Sequence, residues 1–349
     1  MTRNELMKAV GRDETIEGVD LSGADLTHLD LIGARFRRCI LRGTDFRGAS
    51  VVRTGFQECD LHGAIFAGCD LSQVLWWHME LPGVDLSGAK LEKAVLSHGK
   101  LPGANLEGAD LSRAVLDNAD LSGARFIKTN CFRAVFYKAD CRKADFAGAD
   151  LNRSVFFEAD MAGASLSGAL LHKTVLRDCD LSGQNFAGGR IHMSQLGGST
   201  LDGCDLSHAD LRQTNFMQVK LRNANLKGIS GYAAVFYEAD LTGSVLGEAD
   251  LKQASFTNAK CKRADFSGAN LELAQLDGAD LTGAVLRGCN LTHANLSHAN
   301  LSGADISGAN LYWAKLHRIV EDHTKWEGAS RHLAKETDQE LAEAEDHSS

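Results

Sequence analysis

The sequence predicts an all-β solenoid, a chain wound into short repeated coils, and three observations carry that reading. First, an apolar residue recurs at every fifth position from Ile16 (then Leu21, Leu26, Leu31, Phe36, Leu41, Phe46) to Leu316, without one insertion or deletion. Of these 61 centres, 60 are Leu, Phe, Ile, Val, Met, Trp or Cys, and Gly231 is the exception. Second, the chain holds 35 glycines but only two prolines. Flexible linkers are rich in both, so these glycines belong to regular structure. Third, features repeat at 20 residues: Pro82 and Pro102 stand that far apart, and all 13 Phe at centres fall in one alternating set. Neither an α-helix nor a flat strand has a period of five, which excludes helical solenoids and sandwiches.

Each five-residue unit has its own grammar. Two residues before the centre sits a small residue, usually Ala, and just before most centres comes Asp or Asn, as in Ala24-Asp25-Leu26 and Ala149-Asp150-Leu151. Two residues after the centre, glycine fills 23 of 30 slots on two faces (Gly23, Gly43, Gly63; Gly48, Gly68, Gly88) and 4 of 31 on the other two. Glycine reaches positive φ without a Cβ clash, so two adjacent corners are expected as type II turns and the other two as something different.

The pattern A(D/N)LxG resembles the pentapeptide-repeat family, with ADLSG at 119–123, ADLTG at 279–283 and ANLSG at 299–303. The resemblance covers about residues 16–320. It implies a right-handed quadrilateral parallel β-helix, with one pentapeptide per face and four per coil. About 15 coils at ~4.8 Å spacing make a rod on the order of 70 Å long. Both ends of such a stack need covering. Residues 1–15 are expected as a helical N-terminal cap: Thr2-x-x-Glu5 fits a capping box, and Leu6, Met7 and Val10 supply an apolar side. At the other end Trp326 is placed over the last coil. Residues 328–344 read as a weakly amphipathic helix with Leu333 and Leu341, so 321–349 forms a C-terminal capping helix and acidic tail. Members of the family often dimerise through that end, so the helix at 328–344 is read as either capping it or mediating a homodimer.

Several function classes drop out. No apolar run approaches the ~18 residues of a membrane span, and MTRNELMKAVGRDE has no signal-peptide core, so a cytoplasmic setting is expected. Nine cysteines without a CxxC pair argue against both a disulfide framework and a zinc site. Cys39, Cys59, Cys69, Cys179, Cys204 and Cys289 occupy small inward positions, and Cys131, Cys141 and Cys261 occupy centres, so all nine are read as core filler. His78 with His98, and His172 with His192, fall one coil apart, but no third or fourth ligand accompanies either pair. No phosphate loop or nucleophile elbow interrupts the period, and a ladder of like carboxylates does not separate two pKa values. The expectation is a protein without cofactor, metal or catalytic residues. At net charge −9 and pI 5.8, no direct nucleic-acid binding is expected.

The outer surface is more informative. On one face the residue two after the centre reads Arg53, Gln73, Lys93, Arg113, Arg133, Arg153, Lys173, a basic row broken once. The next face carries Leu75, Val95, Val115, Val135, Val155 and Val175 just before its centres, where other faces have Asp or Asn. Just after those centres come Trp77, Tyr137 and Phe157, then Met217 and Tyr237, while Phe132 and Tyr232 sit on the neighbouring face. The candidate partner-binding set is therefore Trp77, Lys93, Val95, Arg113, Val115, Phe132, Arg133, Val135, Tyr137, Arg153, Val155, Phe157 and Lys173. An apolar–aromatic strip beside Arg suits a partner interface; equally, β-branched residues suit a ladder and duplication copies them from coil to coil. Two irregular spots, residues 74–80 (VLWWHME) and 228–232 (GISGY), are expected to bulge.

Two binding roles fit. The first is a protein–protein scaffold or adaptor, because TRNELMKAVGRDETIEGVDLSGADL resembles the start of pentapeptide-repeat segments associated with type VI secretion loci. The second is the family's best-known role, topoisomerase (gyrase) binding by DNA mimicry. Charge weighs against it: residues 321–349 hold nine acidic and three basic side chains, leaving −3 over residues 16–320. Duplex DNA presents one charge per ~1.7 Å.

Overall fold

The computed structural model describes residues 1–348. They divide into two compact units, Met1–Val175 and a second from Leu176 onward.

The first unit opens with helix α1 (Arg3–Gly11), whose Thr2 and Glu5 form a reciprocal capping box and whose Leu6 and Ala9 are buried. Arg3 Nη2 donates to the carbonyl of Thr27 at 2.7 Å, tying the helix to the coil below. Strands β1 (Thr15–Glu17), β2 (Arg35–Arg37) and β3 (Gly55–Gln57) then pair in parallel, with Ile16, Phe36 and Phe56 in register. Beyond them the sheet reduces to single parallel bridges, such as Val95↔Val115↔Val135↔Val155 and Asp110↔Asn130↔Asp150. Partners always stand 20 residues apart, which makes the coil four pentapeptides long.

The second unit repeats this plan, as in Asp180↔Thr200↔Lys220↔Asp240. Its ladder runs on through Asp305↔Lys325 and Lys315↔Lys335, into the segment expected to cap it. The reason is local. Thr324 donates to the carbonyl of Leu301 at 2.7 Å, Gly328 has a φ of 70°, and half-buried Trp326 takes a centre position under the Arg331 guanidinium. The terminal helix is correspondingly displaced. Leu333 lies in a short 3₁₀ turn (Arg331–Leu333), and α2 occupies Gln339–Ser348, so the acidic tail itself is helical.

The alternating Phe set explains the core. Like-facing rings stack along the coil axis (Phe126 on Phe146 at 4.5 Å, Phe136 on Phe156 at 4.4 Å). Rings from opposite faces meet edge to face across the interior (Phe136 to Phe146, 5.9 Å), and both geometries are favoured by the ring quadrupole. At the small inward positions, Thr and Cys do one job: Thr44 Oγ1 donates to the carbonyl of Leu21 at 2.8 Å, and Cys204 Sγ to that of Leu181 at 2.9 Å. Burial pushes the Cys69 thiol up to about 11 and those of Cys204 and Cys289 up to about 12, far from the thiolate a reactive cysteine needs.

The corners correct the expectation drawn from glycine. Every fifth residue from Asp13 through Gly328 has positive φ, whether glycine or not: Gly103 stands at 66°, Arg113 at 60°, Arg133 at 59°. Most glycine-rich and glycine-poor corners close alike, by Ala104 N–H to Leu101 O (3.1 Å) and Ala114 N–H to Leu111 O (2.9 Å); those after Ile16, Phe36 and Phe56 differ, the chain staying extended as β1, β2 and β3 with no such bond. The left-handed conformation costs an L-residue roughly 1–2 kcal/mol. The glycine-poor faces accept that cost for an outward side chain. Aspartates before the centres reinforce the turn: Asp110, Asp120 and Asp145 each accept the N–H two residues on at 2.9–3.0 Å, an Asx turn.

The two irregular spots behave differently. Around Gly231 the ladder is unbroken, with Gly231 N–H to Asp250 O at 2.7 Å and Asp250 N–H to Ile229 O at 2.9 Å, so no bulge exists there. Around Trp76 the bulge is real. Trp76 is fully buried, Met79 is only half-buried, and the bridge expected between residues 60 and 80 is missing. Cys59 faces this gap and is half-buried, unlike the other eight cysteines.

Candidate partner-binding surface

All 13 predicted site residues lie in the first unit. Val95, Val115, Val135 and Val155 form one continuous ladder, each half-buried, flanked by Leu75 and Val175 in the same register. Lys93, Arg113, Arg133, Arg153 and Lys173 stand exposed at the preceding corner, all at positive φ. Tyr137 stacks on Phe157 at 5.8 Å, Lys138 lies over the Tyr137 ring at 5.1 Å, and Arg133 leans over Phe132 at 5.3 Å. Trp77 stands apart, two-thirds exposed, beside the stacked His78 and His98 rings (4.9 Å).

Ion pairing sets this row apart from many cations of the first unit, though not from Lys90, Lys128 or Lys143, which also form none among the described residues. Arg42, Arg125 and Arg142 are held by carboxylates at 2.5–2.9 Å. Arg113, Arg133, Arg153 and Lys173, on four consecutive coils, form no ion pair among the described residues. Lys93 reaches only its own neighbour Glu92 (2.9 Å). The valine positions also forgo something. With Val in place of Asp, the corner loses its Asx hydrogen bond, worth about 0.5–1.5 kcal/mol each. The equivalent face of the second unit regains it only in part: Asn215 accepts from Met217 N–H (2.8 Å) and Asn295 from Ser297 N–H (3.2 Å), while Val235, Ser255 and Gln275 share that column without the bond.

One residue of this surface escapes sequence reasoning. Asp117 lies in the outward column between Ser97 and Tyr137 with a buried Oδ1 that has no hydrogen-bond partner. Burial raises its carboxyl above the ordinary range. An acid in a column that also holds Trp77, Ser97, Tyr137 and Phe157 is the one sequence signal for it.

In the second unit, His298, His317 and Glu345 bring ligand atoms within 4.8 Å of one another. The hydrogen bonding there reads as a clasp. The Asp338 N–H donates to His317 Nδ1 at 3.2 Å, which leaves the ring proton on Nε2, facing Glu345 Oε2 at 3.3 Å. A cation at Nε2 requires the opposite tautomer, and Arg318 Nε already lies 3.4 Å from the same carboxylate. The group pins α2 to the coil. His172 falls in the first unit and His192 in the second, 3.6 Å from Asp210.

The profile for "Pentapeptide repeats (8 copies)" matches segments that run from residue 20 to residue 318. No curated protein matches the chain. Among solved structures, it is similar to a trypsin-treated form of QnrB1, a plasmid-mediated fluoroquinolone resistance protein. That likeness has 18% identity over 67% of this chain and 94% of that one, with a TM-score of 0.33. It is also similar to HetL, a pentapeptide repeat protein involved in heterocyst differentiation regulation in the cyanobacterium Nostoc, at 26% identity over 90% of this chain and 96% of that one (TM-score 0.17). Rfr23 from the cyanobacterium Cyanothece shares 23% identity over 44% of this chain and 90% of its own (TM-score 0.16). None of the helices among the described residues is long and apolar enough to cross a membrane.

Proposed function

The chain belongs to the pentapeptide-repeat family, and from that premise we propose that it is a non-catalytic protein-binding scaffold. Its contact surface is the valine–aromatic–arginine strip of the first unit. The observation that carries this reading is the row of four uncommitted cations, Arg113, Arg133, Arg153 and Lys173, beside a half-buried apolar ladder. A by-product of duplication has no reason to hold long cations at left-handed corners, where glycine is cheaper. The partner's matching surface is acidic and apolar, with a donor for Asp117. The opening 25-residue resemblance refines the role to an adaptor for secreted effectors of a type VI system.

The test is affinity capture from the native host with the full chain and with two variants, Arg113→Glu/Arg133→Glu/Arg153→Glu and Tyr137→Ala/Phe157→Ala. One protein retained by the parent and lost from both variants, with unchanged far-UV spectra, is the expected outcome. Equal retention by all three contradicts the assignment. Inhibition of gyrase supercoiling at micromolar protein, indifferent to these substitutions, would favour DNA mimicry instead.

A further inference from the structure

The gap beside Trp76 is a cleft with unmet hydrogen-bonding capacity on both lips. In the coil below, Arg38, Leu41 and Gly43 donate their N–H groups to the carbonyls of Gln57, Asp60 and His62 at 2.7–2.9 Å, and Asp60 N–H returns to Cys39 O at 2.9 Å. In the coil above, His78, Leu81 and Gly83 donate to Ser97, Lys100 and Pro102 at 2.7–3.2 Å, and Lys100 N–H returns to Met79 O at 2.8 Å. Between the two, none of the four equivalents forms. The N–H groups of Glu58, Leu61 and Gly63 do not reach the carbonyls of Trp77, Glu80 and Pro82, and Glu80 N–H does not reach Cys59 O. The space left is about 800 Å³, within the range of ligand clefts.

Its walls define an occupant. Glu58, Asp60 and Glu80 line it against a single permanent cation, Arg42, which is already bound to Asp60 at 2.6 Å. Glu58 and Glu80 are ion-paired too, with Arg38 at 2.8 Å and Lys100 at 2.5 Å, but every partner is more than half exposed; such surface pairs are weak, so an entering guanidinium exchanges for either cation. The Trp77 indole, two-thirds exposed, stands at the rim as a ready face for a cation.

We propose that this cleft binds an extended, arginine-bearing peptide segment of a partner protein. The segment's backbone takes up the open ladder positions by strand addition, and its guanidinium lies between the carboxylates and Trp77. Free backbone donors and acceptors in a row are what an extended chain satisfies, and the acidic lining selects the basic side chain. The cleft adjoins the strip at Trp77, but its chemistry is opposite in sign, so the two sites are testable apart.

Calorimetric titration of the full chain with acetyl-Val-Arg-Val-Arg-Val-amide and its Glu counterpart tests the assignment. The Arg peptide is expected to bind about tenfold more tightly than the Glu peptide. Trp77→Ala should weaken it about threefold, the size of an exposed cation–π contact. Trp76→Leu/Met79→Ala, which returns both inward positions to the repeat's usual residues, should close the ladder and abolish binding. Arg133→Glu/Arg153→Glu should leave it unchanged, whatever becomes of the strip as an interface. Absence of binding, equal binding of both peptides, or full binding by the Trp76→Leu/Met79→Ala chain would each overturn the proposal.

Discussion

Of the coils that break the repeat's size rule, the pair at 74–80 and 228–232 shows opposite outcomes: only the first is damaged. At 228–232 the two inward positions trade volumes: Ile229 replaces the usual Ala, and Gly231 replaces the usual Leu or Phe. The Ile229 Cδ1 then sits 3.5 Å from the point a Cβ on residue 231 would occupy, so the large residue fills the space the small one leaves. At 74–80 both positions grow, to Trp76 and Met79, with nothing nearby giving way within that coil. The surplus is expelled sideways: Met79 and Cys59 are half-buried, Trp76 Nε1 is buried without a partner, and four ladder bonds are missing. A solenoid interior therefore fixes total volume per coil more strictly than residue identity at each position, as expected for close-packed matter.

The strongest way to break this contrast is to undo the trade. Ile229→Ala leaves Gly231 facing a void and is expected to cost the second unit about 2–5 kcal/mol, read from amide exchange of its ladder. Gly231→Leu alone overfills the coil, because a Cβ there lies 2.9 Å from Leu251 Cδ2, at a cost of about 1–3 kcal/mol. Made together, the two should nearly cancel; a double variant as damaged as the sum of the singles would refute compensation. The converse change comes next in size. Relieving the overfilled coil with Trp76→Leu/Met79→Ala should stabilise the first unit by about 1–3 kcal/mol, seen as a higher denaturation midpoint.

The smallest effect separates the coils from what is docked on them. Neither anomalous coil depends on a carboxylate in its core, so mild acid should leave both alone while releasing α2. Burial pushes the Glu345 carboxyl up, but its hydrogen bonds and electrostatic contacts with His317 and His298 together outweigh that and hold it below its ordinary value. A carboxylate with a lowered folded pKa contributes fully above its unfolded value, and that contribution fades as pH falls through the folded one. Amide exchange of α2 should therefore quicken below about pH 4. Because Glu345 is a third exposed and screened by water, this is the smallest of the expected changes.

Period and core were legible from single residues, because one apolar residue every five and an alternating Phe set are local facts with one packing solution. Corner geometry was not, since glycine reports where an outward side chain is unwanted rather than where φ is positive; Arg113 and Gly103 share one conformation. The soundness of the Gly231 coil was hidden because it depends on Ile229 filling a neighbour's space. The ends misled for a related reason. Trp326 and Gly328 continue the pentapeptide grammar, and the clasp on α2 joins Glu345 to His298 and His317, far apart in sequence. Asp117 is marked only by desolvation, which its neighbours create.

Surplus core volume at Trp76 and Met79 has opened the first unit's ladder. Site-resolved amide exchange of the free protein tests it most directly. The amides of Glu58, Leu61, Gly63 and Glu80 should exchange far faster than those of Arg38, Leu41, Gly43 and Lys100 one coil away, and should slow to match them in the Trp76→Leu/Met79→Ala variant. Equal protection of the two sets in the parent chain would contradict it.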